Sequence, residues 1–384
     1  MSDDIRSLMF AMLRRELRGE AFSEAGKIIL NETEARELYT LSCRFGLSHL
    51  VGDALRSSGA VLPEDIAKKF KEKTDRAVYR FCVMQNETDR ISALFEKEKI
   101  PFIPLKGAVL RDRYPEPWMR FSNDIDILVH PEDMKRAENA LVSELCYERF
   151  KASAHEVSFM SKTKMHLELH FDLIEDGRAN TAKQVLNTFW DHASHAEDSC
   201  CCTLDAPMFC FYHIAHMAKH FTSGQCGIRL FLDLWILNRL PEFRTVDCDR
   251  LLAEGELDKF SVLACRLSEV WLSDAPHNED TRRLEDFVFE GTYNNRAAVQ
   301  TSKHQGRSGT ILSKFFIPYD VLKIRHPILR KHRWLTPFIE IKRWVGLIFR
   351  GRIGHAIDVI RNTAELSDEK IQETALLFDR LGLK

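Results

Sequence analysis

Residues 101–129 read PFIPLKGAVLRDRYPEPWMRFSNDIDILV, and their order decides which fold the chain can adopt. A short apolar run, Phe102-Ile103-Pro104-Leu105, ends at Lys106-Gly107, and Ala108-Val109-Leu110-Arg111 then suits a helix, so the segment predicts strand, turn, helix. Asp124-Ile125-Asp126-Ile127-Leu128-Val129 alternates and then turns wholly apolar, as a strand entering a core does. Pro131-Glu132-Asp133 opens a helix expected to reach about Leu145. Two more strands follow, His155 to Met160 and Met165 to Asp172. In the second, Leu167, Leu169 and Phe171 share one face, and His166, Glu168, His170 and Asp172 share the other.

This β-α-β-α pattern is confined to residues 99–178, and helical spacing prevails on both sides of it. Apolar positions recur at helical intervals over 3–18, 33–58 and 78–97, so 1–98 is read as an N-terminal helical region. A helical domain is expected over 179–300, with helices near 207–221, 228–239, 247–255 and 259–272. The polar, Gly-containing stretch 291–309 reads as a loop or linker. Residues 301–384 read as a basic C-terminal region of helices broken by Pro318, Pro327 and Pro337. The fold class expected is therefore α+β: a small mixed sheet with helices, embedded in a mainly helical protein. At 384 residues the chain is long enough for more than one core.

Composition excludes several function classes. With 45% hydrophobic, 29% charged and 10% aromatic residues, the chain is neither disordered nor fibrous. No apolar run approaches the length of a bilayer span, and the first residues, MSDDIRSLMF, carry acids where a signal peptide needs a basic region, so a cytoplasmic protein is expected. Ten cysteines without a CxxC pair read as reduced, mostly buried thiols, the one cluster being Cys200-Cys201-Cys202. A net charge of −2 gives no general attraction to nucleic acid.

The candidate chemistry lies on the α/β segment. On a strand, residues two apart point the same way, so Asp124 and Asp126 present paired carboxylates while Ile125 and Ile127 anchor the opposite face. Mg²⁺ is commonly held by one or two carboxylates together with substrate phosphates, and such a pair suits it. Glu168 supplies a third carboxylate if its strand adjoins that of the aspartates, which would allow a two-metal site. At the preceding turn, Gly107 permits close backbone approach, the helix N-terminus attracts phosphate, and Lys106 adds a mobile cation. Arg120 is a second cation placed to meet a triphosphate. Taken singly, each piece has a plainer reading: a solvated DxD, an ordinary turn, the wet face of a half-buried sheet.

Their order, glycine turn, acid-hydrophobic-acid strand, then a carboxylate on a later strand, resembles the nucleotidyltransferase superfamily of DNA polymerase β. More closely, PFIPLKGAVLRDRYPEPWMRFSNDIDILVHPEDMKRAENAL, followed by HLELH, is similar to the uncharacterised bacterial nucleotidyltransferase family with an LKG turn, a DIDLLV-type strand and an ExH strand. EKEKIPFIPLKG, FYHIAHMAKH and LFLDLW also look family-like. The resemblance implies a polymerase β-like core and transfer of a nucleoside monophosphate from a nucleoside triphosphate to an acceptor hydroxyl. Asp124, Asp126 and Glu168 would be catalytic and hold Mg²⁺ or Mn²⁺, with Glu168 completing the site or taking the acceptor's proton. Lys106, Gly107, Arg120 and His170 would contact the nucleotide. The chain departs from the superfamily in having Lys-Gly where Gly-Gly or Gly-Ser is usual. A longer gap before the aspartates also leaves a loop, Arg111 to Arg120, able to cover a nucleotide.

Other features have competing readings. His213, His216 and His220 share a helical face, but His213 and His220 stand too far apart for one ion, so a packed or phosphate-facing surface is favoured over a zinc site. Asp233 in LFLDLW is expected to pair with one of these histidines or with an arginine such as Arg229. The stretch 310–352 has ten Lys or Arg against Asp320 and Glu340, interleaved with aromatics, and is read as packing on the chain's own body, with RNA or a membrane surface the sharper alternative. Two functions compete with nucleotidylation of a small molecule, sugar phosphate or protein. One is a regulatory module that holds nucleotide without turnover, the other a toxin-like enzyme modifying tRNA.

Overall fold

The computed structural model describes residues 3–19, 28–153, 155–173, 181–224, 226–290, 292–303, 317, 319, 322–323, 326–349 and 363–383. Its contacts divide the chain into two compact units, Met1–Ala215 with Gly227–His277, and His216–Cys226 with Asn278–Lys384.

The first unit opens with α1 (Asp3–Arg18), α2 (Glu32–Arg44), α3 (Ser48–Ser57) and α4 (Glu64–Lys97). Asn31 and Glu34 form a reciprocal capping box that fixes the start of α2. Helix α4 begins directly after Pro63, with Glu64 and Asp65 in its first turn and Lys97 in its last, charges that complement the helix dipole. It is longer than the periodicity over 78–97 foretells. Ile66, Phe70 and Ala77 extend its buried stripe toward the N-terminus, down to Met84, Ile91, Leu94 and Phe95.

Next come β1 (Phe102–Pro104), the short α5 (Gly107–Leu110), β2 (Asp124–Val129), α6 (Met134–Leu145), β3 (Glu148–Ala152), β4 (Glu156–Met160) and β5 (His166–His170). They form one five-stranded sheet ordered β1-β2-β5-β4-β3. Strand β2 runs parallel to β5, and the other neighbours are antiparallel. The fold is thus the expected mixture of a small mixed sheet and many helices. Ile125, Ile127, Val129, Leu167, Leu169 and Phe159 bury one face of the sheet against Met84, Ile91 and Phe95 of α4 and Ala137 and Leu141 of α6. The parity of β2 and β5 then commits their acidic residues to the opposite face.

Strand β3 is absent from the sequence reading. ERFKA carries no apolar alternation because all five residues are exposed, as befits a charged edge strand that discourages further pairing. The remainder of this unit is α7 (Thr181–Leu186), a two-stranded ribbon of β6 (Ala193–His195) and β7 (Cys202–Leu204), α8 (Ala206–Thr222, its last residues falling in the second unit), α9 (Ile228–Leu237), α10 (Val246–Glu254) and α11 (Asp258–Ser273). The ten cysteines are all free thiols, but Cys82 and Cys146 are exposed, so burial is less general than expected. Glu96 holds the backbone N–H groups of Cys200 and Cys201.

The second unit contains α12 (Glu279–Glu290), α13 (Thr292–Lys303), α14 (Thr336–Phe349) and α15 (Asp368–Arg380). Phe287 stacks on Phe221 and meets Phe378 edge-on, and Arg380 pairs with Asp280. Helix α13 corrects the expected loop over 291–309, at least over 292–303. Asn295 donates to the Phe287 carbonyl and Thr301 to that of Ala297, while Ala297, Ala298 and Val299 are buried. Pro337 stands in the first turn of α14 instead of breaking it, where a backbone N–H has no intrahelical acceptor to lose. Of the basic stretch, Lys314, Arg325, Arg350 and Arg352 lie outside the described residues, as does Pro318. Within it, Leu322, Leu329 and Glu340 are buried whereas Trp334 and Phe338 are 67% and 62% exposed, so the packing expected of its aromatics fails for these two. No described helix is long and apolar enough to cross a membrane.

Candidate functional site

Strand β2 meets β5 in a register that sets Asp124 opposite His166 and Asp126 opposite Glu168, with Leu128 opposite His170. Two of the acids are therefore direct cross-strand neighbours, and Asp124 lies one pleat further along. Among the described residues two groups of donors have ligand atoms all within 4.8 Å of one another: Asp124, His166 and Glu168, and Asp126, Glu168 and His170. Asp126 is 4% exposed. Its Oδ1 accepts from Lys106 Nζ at 2.7 Å and lies 3.1 Å from His170 Nε2. Ser122 Oγ donates to Asp124 Oδ1 at 2.6 Å. The carboxylate and imidazole donors suit a hard or borderline divalent cation.

Lys106 owes its position to an unusual backbone. It has φ 45° and ψ −114°, a conformation that favours glycine and costs about 1–3 kcal/mol in any other residue. The Ala108 N–H closes the turn onto the Leu105 carbonyl at 3.1 Å. The left-handed residue of the turn is therefore the lysine, not the glycine beside it. At Gly107 an added Cβ would meet Ser122 and Arg120 at ordinary contact distances of 3.6 and 3.7 Å, so the fold itself does not demand glycine there. Helix α5 is only four residues long and passes into a 3₁₀ turn at Arg111–Arg113, too short for the dipole-driven phosphate site the sequence suggests.

Burial and neighbouring charge set the protonation states. Burial, the largest single influence, opposes both charges of the Lys106–Asp126 pair, but the partner and the other neighbouring groups together outweigh it, so the lysine pKa is raised and that of Asp126, which His170 also supports, is lowered. Glu168 is pushed up to about 7, by burial first and then by the carboxylates of Asp126 and Glu156. Glu156 is pulled down to about 2, its hydrogen bond from His155 outweighing its burial. A raised carboxylate pKa contributes stability that is complete below the unfolded value of 4.5 and is lost as pH rises through about 7. In chelator, the wild-type protein is therefore expected to lose melting temperature over this window relative to Glu168→Gln. Parallel melting curves for the two proteins between pH 4.5 and 7 would remove this assignment.

Arg120 is buried beside Gly107, with Nε donating to Asp233 Oδ1 at 2.6 Å and a terminal nitrogen to the Phe121 carbonyl at 3.2 Å. Tyr114 donates its hydroxyl to the same Asp233 oxygen at 2.6 Å. Asp233 thus pairs with Arg120, not with Arg229 or a histidine: Arg229 donates to the Phe121 carbonyl, and His213 contacts the Leu230 carbonyl.

The model of a family of uncharacterised nucleotidyltransferases matches residues 31–273. The chain belongs to that family. No curated protein and no solved structure matches it. The nucleotidyltransferase match runs from α2 to α11 and includes every site residue described above.

Within this family frame, the structure brings Lys106, Asp124, Asp126, Glu168 and His170 together and places Arg120 beside Gly107, paired with Asp233. Several neighbours escaped the sequence reading. His166 and Glu156 were legible only as strand residues, and Ser122 stood in an unassigned loop. Tyr212 is buried and close enough to Lys106 and Asp126 to feel both charges, yet it comes from α8, and nothing in the sequence links that helix to the sheet. On α8, His216 and His220 face each other with Nε2 atoms 3.0 Å apart.

Proposed function

We propose that the sheet is a polymerase β-like nucleotidyltransferase core. It would move a nucleoside monophosphate from a nucleoside triphosphate to an acceptor hydroxyl on a small molecule, sugar phosphate or protein, releasing pyrophosphate. The observation that carries this reading is the pairing of Asp126 with Glu168 across parallel strands, with Asp124 beside them and the Lys106-Gly107 turn at their edge. Asp124, Asp126 and Glu168 would hold Mg²⁺ or Mn²⁺. Such an ion polarises the reacting phosphoryl group and neutralises charge developing on it.

The chain's own residues divide the remaining work. Lys106 neutralises Asp126 before substrate arrives, and its flexible stem lets the ammonium turn to the triphosphate. Gly107 leaves bare backbone where a phosphate approaches. Arg120, held by Asp233, presents its terminal nitrogen to the same space. His170, pinned on Asp126, lines the nucleotide side of the site. Glu168 would complete the metal site or take the acceptor's proton.

Incubation with each labelled triphosphate, Mg²⁺ or Mn²⁺ and a cell extract should transfer label to one fraction. Absence of label from every fraction with all four nucleotides would overturn the reading. Gly107→Ala is expected to keep the wild-type melting temperature yet weaken triphosphate binding about tenfold, near 1.4 kcal/mol. Equal affinities by calorimetry would remove Gly107 from the site. Generic RNA should bind weakly and be released at moderate salt, because the whole-chain charge is −2 and the stretch 310–352 supplies only ten cations. Tight, salt-resistant binding to one RNA class would instead favour tRNA modification.

A further inference from the structure

We propose that Glu168 is shared between two cation positions, each completed by one aspartate and one histidine: Asp124 with His166, and Asp126 with His170. The inference rests on the metal dependence proposed above and goes beyond it in assigning nitrogen ligands. The two donor groups have only Glu168 in common. Its oxygens divide between them, Oε1 lying 3.8 Å from His166 Nδ1 and Oε2 3.7 Å from His170 Nε2. These separations are too long for hydrogen bonds. They are slightly wider than the roughly 3 Å between adjacent donors that bind a common cation at about 2.1 Å. Strand register explains the repetition. Aspartates two apart on β2 and histidines four apart on β5 flank the central glutamate on one face.

His170 is also oriented as a ligand should be. With Nε2 turned to the acids, its Nδ1 is buried without a hydrogen-bond partner and lies 3.8 Å from Glu156 Oε2. Glu156 is the cross-strand partner of His170 on β4. A ligating imidazole keeps its proton on the other nitrogen and gives it to a carboxylate, which makes Glu156 a positioning residue. The Nε2 atom of His166 is likewise buried without a partner. Imidazole donors shift preference away from Mg²⁺ toward Mn²⁺ and later transition metals. Because Lys106 competes for Asp126, phosphate should strengthen metal binding by drawing the ammonium away.

The test uses the full chain, stripped with chelator and titrated with Mn²⁺ in the presence of inorganic tripolyphosphate, which avoids choosing a base. Bound Mn²⁺ is counted by electron paramagnetic resonance, and pulsed measurements read nitrogen coupling from a coordinated imidazole. Two equivalents with nitrogen coupling are expected. His166→Gln and His170→Gln should each weaken one equivalent tenfold or more. Glu156→Ala should weaken the His170-dependent equivalent by about 10–100-fold, partly restored in Glu156→Gln. Bound Mn²⁺ without nitrogen coupling would overturn histidine ligation and leave the carboxylate site standing, an outcome readable in the wild-type protein even if a variant fails to fold. A single equivalent would overturn the sharing of Glu168. No bound Mn²⁺ at all would remove both this inference and the metal-dependent reading beneath it.

Discussion

Asp126→Asn and Glu168→Gln are both expected to reduce nucleotidyl transfer by at least a hundredfold, while moving the melting temperature in opposite directions. Each substitution keeps the shape of the side chain and removes one negative charge from the place proposed for the metal. Charge stabilisation by a metal ion is worth several kcal/mol in phosphoryl transfer, and each 1.36 kcal/mol is a factor of ten in rate. The stability effects differ because the two carboxylates have different surroundings. Asp126 is paired with Lys106 at 2.7 Å, so Asp126→Asn strands an ammonium whose side chain is only 23% exposed. A loss of about 1–3 kcal/mol follows. Glu168 has no such cation and is raised to about 7 by burial and by carboxylates, so Glu168→Gln relieves repulsion and should melt higher at and above neutral pH. Transfer rate and melting temperature, measured on the same preparations, separate this from a purely structural role. If both variants kept near wild-type transfer, the catalytic assignment would be abandoned.

The sheet face that carries these residues was legible in the sequence because strand parity is a strict rule. Once Ile125, Ile127, Leu167 and Leu169 are assigned to the core, Asp124, Asp126 and Glu168 have no other side to occupy. What parity cannot supply is which strands adjoin. The pairing of β2 with β5 skips β3 and β4, and the edge strand β3 carries no apolar signal because it buries nothing. Turn chemistry misled in one respect. Glycine is the usual residue at positive φ, but here Lys106 takes that conformation and Gly107 does not need it. The polar composition of 292–303 hid α13, in which Asn295 and Thr301 bond within their own unit. Tyr212 and the partner of Asp233 depend on where α8 and α9 pack, which local periodicity does not encode.

The largest effect on stability is expected from Asp233→Ala. Asp233 is completely buried on α9, and one of its oxygens accepts from both Arg120 and Tyr114 at 2.6 Å. Burial opposes the charge on Arg120, yet Asp233 more than compensates, so the arginine pKa is raised. Removing the carboxylate leaves a guanidinium that is 8% exposed without its counter-charge and a buried phenol without its acceptor. Breaking a buried pair from one side costs about 3–5 kcal/mol. At about 2–4 °C per kcal/mol for a unit of this size, the melting temperature should fall by roughly 6–20 °C. Removing both charges at once, as in Arg120→Met with Asp233→Leu, should recover most of that loss, because apolar replacement of a whole buried pair is often neutral. The double variant then separates support from function. If Arg120 serves only to hold Asp233, the double variant should bind triphosphate like the wild type once its fold is restored. If its terminal nitrogen faces phosphate beside Gly107, binding should stay weak although melting recovers. A double variant that melts as low as Asp233→Ala would show that the site depends on this ion pair for reasons other than charge balance.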